Sequence, residues 1–167
     1  MNSIQLTHNQ VRNNNNNKEI IVITDTIRTP ENVGMIFRVS EAFGVKKVIL
    51  LGDSPKLSNK KVLRTARSTE KNLQIEYVDE IQLVVDDLIK NNFQLIGLEL
   101  TNSSIGINQF TVSSINKIAI FIGAERFGID EKILKQLEKI VHIDLFGKNS
   151  SINVVNALAI ALFELTK

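Results

Sequence analysis

The sequence predicts an α/β domain in which a mainly parallel sheet carries helices on both faces. Three observations lead there. Short apolar runs rich in Ile, Val and Leu recur along the chain, and between them the apolar residues fall at helical spacing. Strands written as unbroken apolar runs are strands buried on both sides, as in sheets covered by βαβ crossovers. A length of 167 residues with 43% hydrophobic content suits one domain with its own core, and no internal repeat divides it.

Each element has its own signal, taken in chain order. Residues 1–18, with "NNNNN" at 13–17, have little apolar content and are expected to form a flexible Asn-rich leader, with 19–167 as the folded domain. Strands are expected near 20–24 ("IIVIT"), 47–51, 73–77, 94–100, 118–122 ("IAIFI") and 141–145. Helices are expected near 32–43, where Val33, Ile36, Phe37 and Phe43 share a face, and near 58–66, 80–91 and 131–138. A last helix should run from about 151 to the C-terminus. Its stretch "VVNALAIALFEL" is apolar nearly all round and so needs burial on several sides, by the sheet and by a second subunit. Asn153 and Asn156 within it then need polar partners.

Composition excludes several classes of function. Cysteine is absent and the histidines are His8 and His142, so no metal-site spacing exists and no metal is expected. No apolar run reaches the roughly 18 residues of a membrane span, and the polar start lacks a signal-peptide core, which leads to an expected cytoplasmic location. The net charge of +2 is unevenly spread. Between Lys46 and Lys71 stand Lys46, Lys47, Lys56, Lys60, Lys61, Arg64, Arg67 and Lys71 against Asp53 and Glu70. That cluster suits a phosphate-rich partner such as RNA, and equally a solvated helix and loop.

Three segments break local preference, each just after an expected strand, where sheets of this class bind ligands. The first is "TPENVGMIFR". Glycine costs a helix about 1 kcal/mol relative to alanine, and a cation near a helix N-terminus opposes its dipole. Gly34 and Arg38 are four apart on one helical face, so the expectation is that the bare Gly34 backbone makes room for Arg38 to reach the strand-end crevice. The bland alternatives are Asn32 as a helix cap and Arg38 as an ion-pair partner of Glu31 or Glu41. The second segment is "IGAERFGID", where Gly123 and Gly128 bracket Glu125; it reads equally as a ligand loop or as a tight turn. The third is "IDLFGKNSSIN", in which Ser150 or Ser151 would cap the final helix.

Taken together, the segments resemble the SpoU (TrmH-like) family of RNA ribose 2′-O-methyltransferases of the SPOUT superfamily, from about residue 20 to the C-terminus. The family's Asn-x-Gly-x-x-x-Arg stands here as Asn32, Gly34 and Arg38, and its Gly-x-Glu-x-x-Gly as Gly123, Glu125 and Gly128. "IDLFG" and "SINV" take the place of its third motif, with Asp144 where proline is frequent and Ile152 where leucine is. "RTARSTEK" lacks the family's Ser-x-Gly-Ala pattern. The resemblance implies S-adenosylmethionine as cofactor, a C-terminal trefoil knot, and a homodimer whose active site draws on both subunits. It further implies a cofactor pocket from Leu100, Thr101, Gly123, Ile143, Leu145 and Ile152, and a catalytic cluster of Asn32, Arg38, Glu125, Ser151 and Asn153.

The function expected on this basis is methylation of a ribose 2′-hydroxyl in tRNA or rRNA. Arg38 is expected to clamp the adjacent phosphate and stabilise developing alkoxide charge, since a guanidinium holds its proton too firmly to be an easy base. The base itself stays open between phosphate, water and a transiently neutral Arg38. The alternative is a catalytically silent RNA-binding module of the same fold. A nucleotide-binding enzyme of unrelated chemistry is disfavoured by the absence of Gly-x-Gly-x-x-Gly and of a phosphate-loop motif.

Overall fold

The structure is a computed structural model that describes residues 3–13, 17–112, 114–124 and 126–167. Among them run β1 (Glu19–Thr24), α1 (Pro30–Ala42), β2 (Lys47–Leu51), α2 (Lys60–Ala66), β3 (Gln74–Val78), α3 (Ile81–Lys90) and β4 (Gln94–Leu98). Then follow β5 (Ile105–Gly106), β6 (Lys117–Ile122), α4 (Glu131–Leu134), β7 (Lys139–His142) and α5 (Val154–Leu165). The sheet order is β3-β2-β1-β6-β4-β7-β5, and every neighbouring pair is parallel.

The apolar runs are explained by two cores. Ile20 and Val22 of β1 point to one face with Phe37 of α1, Val62 of α2 and Leu158 of α5. Ile21 and Ile23 point to the other, with Val85 and Leu88 of α3 and Ile133 of α4. With both faces covered, no solvent side exists to impose polar alternation. The predicted α/β fold with helices on both faces is the fold observed.

Several boundaries differ from expectation for local reasons. Helix α1 begins at Pro30, whose fixed φ suits the first turn, with Thr29 at the cap position. Asn32 is therefore inside the helix and is not its cap. The last helix starts at Val154, and Asn153, not Ser150 or Ser151, caps it by accepting from the Val155 N–H at 2.8 Å. Helix α4 is short because Glu138 already donates its N–H to Leu95 O (3.1 Å), which draws the chain into the sheet. Strand β7 ends at His142, which leaves Ile143 and Leu145 on a loop.

Strand β5, only two residues long, had no sequence signal. It pairs with β7 at Ile105↔Val141 and Gly106↔His142, so β7 lies between β4 and β5 and the β4–β5 connection crosses over it.

Gly34 corrects the sequence reading. A Cβ there would collide with Thr65 Oγ1 and Val62 O and lie 2.9 Å from Ala66 N, all on α2. The glycine lets α1 and α2 pack backbone to backbone; it does not clear a path for Arg38, which is exposed.

Candidate active site

A cavity of about 710 Å³ opens beyond the carboxyl ends of β4, β6 and β7, a size in the range of small-molecule sites. Three loops build it. The first follows β4, where Glu99 accepts from Leu100 N–H through Oε1 (3.0 Å) and from Ile129 N–H through Oε2 (3.1 Å). One carboxylate thus ties the loop after β4 to the loop after β6.

That second loop is closed by paired backbone bonds between Ala124 and Gly128, both 3.0 Å. A Cβ on Gly123 would collide with Gly128 C and Ile129 N. Gly128 has φ +67°, and a Cβ on it would strike Glu99 Oε2. Both glycines are therefore required by the turn and by its packing on Glu99. Glu125, which they bracket, lies outside the described residues.

The third loop runs from Ile143 to Asn153. Of the predicted cofactor residues, Leu100, Gly123, Ile143, Leu145 and Ile152 line the cavity. Thr101 stands off its wall, with its N–H donated to Ser104 Oγ at 3.0 Å. Ser151 and Asn153, predicted for the catalytic cluster, also line it.

Asn32 and Arg38 do not line this cavity, but Asn32 is joined to it. The Asn153 side chain caps α5 with its oxygen and donates from Nδ2 to Asn32 Oδ1 at 3.3 Å. Arg38 is exposed on α1 and makes no hydrogen bond or ion pair among the described residues. The carboxylates that a structural role would need are engaged elsewhere. Glu31 pairs with Lys61 (3.4 Å) and Arg64 (3.8 Å), and Glu41 accepts from Asn72 Nδ2 (3.1 Å). Bonding to its own backbone N–H, with Lys61 and Arg64 nearby, holds the Glu31 carboxyl below its ordinary 4.5 against the opposing effect of partial burial.

Sequence reasoning missed two features of the wall. Glu99 carried no motif. His142 was weighed only as a metal ligand, yet it lines the cavity, with Nδ1 3.0 Å from Ser104 Oγ and Nε2 3.3 Å from Asp144 Oδ1. The departure at Asp144 was its only signal. The basic cluster also divides: Lys60, Lys61, Arg64 and Arg67 are exposed on and beside α2, whereas Lys46 and Lys47 sit at the opposite end of β2, where Lys47 pairs with Glu76 at 2.9 Å.

Comparison with known proteins agrees with the motifs. Residues 19–163 match the SpoU rRNA Methylase family. The chain is 28% identical over 154 residues to the 23S rRNA (guanosine-2′-O-)-methyltransferase RlmB of Blochmanniella floridana, covering 92% of this chain and 59% of that protein. It is 29% identical over 153 residues to the tRNA (guanosine(18)-2′-O)-methyltransferase of Saccharomyces cerevisiae, covering 89% of this chain and 10% of that protein. This chain therefore spans less than two thirds of the first relative and a tenth of the second. Its fold is that of the SpoU methyltransferase AviRb from Streptomyces viridochromogenes, solved with the cofactor AdoMet, at a TM-score of 0.83 and 22% identity over 94% of this chain and 61% of that one. With its motifs in order after β1, β6 and β7 and the match running through the whole sheet, the chain belongs to the SpoU rRNA methylase family.

Proposed function

We propose that this chain transfers a methyl group from S-adenosylmethionine to a ribose 2′-hydroxyl of structured RNA, tRNA or rRNA. The observation that carries the reading is Arg38, a cation without a structural partner among the described residues, on the helix that Asn32 and Asn153 join to the cavity wall. The cavity fits the cofactor. Apolar Leu100, Leu145 and Ile152 offer surface to a flat base, Gly123 and Gly128 bring backbone close, and Glu99 and Ser151 offer polar groups.

Bound there, S-adenosylmethionine supplies an electrophilic methyl on its sulfonium. The protein's part is to align the hydroxyl oxygen in line with it and to keep the two in place. Asn153 holds the loop after β7 against α1 through Asn32, Ser151 adds a hydroxyl on the cavity wall, and the motif assigns Glu125 as the carboxylate of the catalytic cluster. Arg38 grips the phosphate beside the target ribose with its planar fork and stabilises the charge that develops as the hydroxyl loses its proton. The proton leaves to the phosphate, to water or to an Arg38 that has first become transiently neutral.

In this reading the active enzyme is a homodimer. Arg38 is exposed off the cavity wall of its own chain and serves the cavity of a second copy. The exposed face of α5, with Ile160 (40% exposed) and Phe163 (56%), is the surface that the second copy covers. The crossing of the β4–β5 connection over β7 supports a C-terminal trefoil knot. The methyltransferase domain is 19–167, with 1–18 outside it, since the family match and β1 both begin at Glu19. No helix among the described residues is long and apolar enough to cross a membrane, and no group of side chains there suits a metal. We place the enzyme in the cytoplasm with its RNA.

The test is transfer of labelled methyl to total tRNA and rRNA, followed by nuclease digestion. The expected product is a 2′-O-methylnucleoside. RNA binding without transfer would favour the silent module, and label on a base would refute ribose methylation.

A further inference from the structure

A second hollow is left unused by the cofactor reading. From β1 the chain proceeds through α1 to β2 on one side, and from β6 through α4 to β7 on the other, so the direction of winding reverses between adjacent β1 and β6. Open parallel sheets hold ligands outside the carboxyl ends of such a pair. A hollow of about 410 Å³ lies there, between Asp25, Thr26 and Arg28 after β1 and Phe127 and Asp130 after β6. Ala124 and Gly128 line both this hollow and the larger cavity, so the two are separated only by the loop after β6.

Phe127 is the feature that needs a reason. The residue is 77% exposed, on a loop held shut by the Ala124–Gly128 backbone pairs and not by packing of the ring. The Arg28 guanidinium carbon lies 5.9 Å from its centroid. An aromatic face beside an arginine is the platform on which unpaired bases stack.

The polar walls narrow the choice of ligand. They are mostly acceptors, from Asp25, Asp130 and Glu131, which repel phosphate and suit N–H donors. Asp25 already accepts from Thr26 N–H (Oδ1, 2.6 Å) and Asp130 N–H (Oδ2, 3.2 Å), which fixes its position. Each of its oxygens has a further lone pair for a ligand.

We propose that this hollow receives an unpaired nucleobase of the RNA, stacked on Phe127 with its donor edge on Asp25. Guanine suits it best, because its adjacent N1–H and N2–H match the two oxygens of one carboxylate. That the ligand is RNA rests on the proposed methyltransferase activity; the site itself rests on the hollow and the ring.

Saturation-transfer NMR on the full chain, with guanosine 5′-monophosphate and uridine 5′-monophosphate as probes, tests this. The purine H8 should saturate more strongly than the pyrimidine protons. Phe127→Ala should weaken guanosine monophosphate binding by about 5-fold or more, the scale of a lost stacking partner, while Phe127→Trp retains it. Calorimetric S-adenosylmethionine affinity should stay within about 2-fold in both variants, which shows that the loop remains folded. No base contact in the unmodified protein, or contact that survives Phe127→Ala, overturns the site; equal saturation by both bases overturns the choice of guanine. The readout is independent of methyl transfer. A chain that binds the base but methylates no ribose would sink the proposed function and leave this site standing, and the reverse result would sink the site alone.

Discussion

Asn153 Nδ2 donates to Asn32 Oδ1 at 3.3 Å, while Asn153 Oδ1 accepts from Val155 N–H at 2.8 Å. The cap sets which way the Asn153 amide faces, and that in turn presents its N–H to Asn32. One side chain thus starts α5 and joins the first motif to the third. Asn153→Asp should keep the cap and the melting temperature but set a carboxylate against the Asn32 oxygen, and methyl transfer should fall. Asn153→Ala should lose the cap as well, at about 1 kcal/mol. Thermal melts beside transfer assays separate the two; equal transfer by the Asp variant would show that the contact is only structural.

Gly34→Ala is expected to destabilise the protein despite a gain of about 1 kcal/mol in helix propensity. The atoms in the way are mostly α2 backbone, which cannot swing aside. Overpacking of this kind costs about 1–3 kcal/mol or more, so the net change should lower the melting temperature by several degrees. A more stable variant would mean that α1 and α2 separate easily.

These two cases mark how far the sequence could be read. The strands were legible because burial on both faces writes them as apolar runs, and 47–51 matches β2 residue for residue. The site was legible as segments at strand ends, of which the second and third line the cavity while the first is joined to it through the Asn32–Asn153 contact. The neighbour of a helical face was not legible. Spacing places Gly34 and Arg38 on one side of α1, but only the fold reveals that α2 lies against the glycine. Nor could spacing show that Asn32 and Asn153 meet, since neutral amides far apart in the chain leave no pattern. Asn156, expected to be buried in the last helix, is exposed on the same face as Ile160 and Phe163.

That face carries the dimer prediction. Asn156, Ile160 and Phe163 recur at helical spacing on one exposed side of α5. Sedimentation should show a dimer at micromolar concentration, and Phe163→Glu should shift it toward monomer and reduce transfer. A monomeric parent protein with full activity would refute an active site shared between copies.

Glu31 gives a pH prediction of definite sign. Its carboxyl is held below 4.5 when folded, so its contribution is present above the unfolded value and is lost as pH falls through the lowered one. With the side chain 37% exposed, the effect is screened and small. Melting curves from about pH 6 to pH 3 should fall less steeply for Glu31→Gln than for the unmodified protein. Parallel curves would show that the pairing with Lys61 and Arg64 contributes nothing.

Arg38→Ala is the most direct test of the central claim, that Arg38 acts on the substrate and not on the fold. The account predicts an unchanged melting temperature and S-adenosylmethionine affinity, with methyl transfer down at least ~100-fold, the scale of a lost transition-state contact. Arg38→Lys should restore little, because a point charge cannot reproduce the fork. If Arg38→Ala instead lowers stability while each folded molecule transfers methyl at the original rate, the arginine is structural and the account is contradicted.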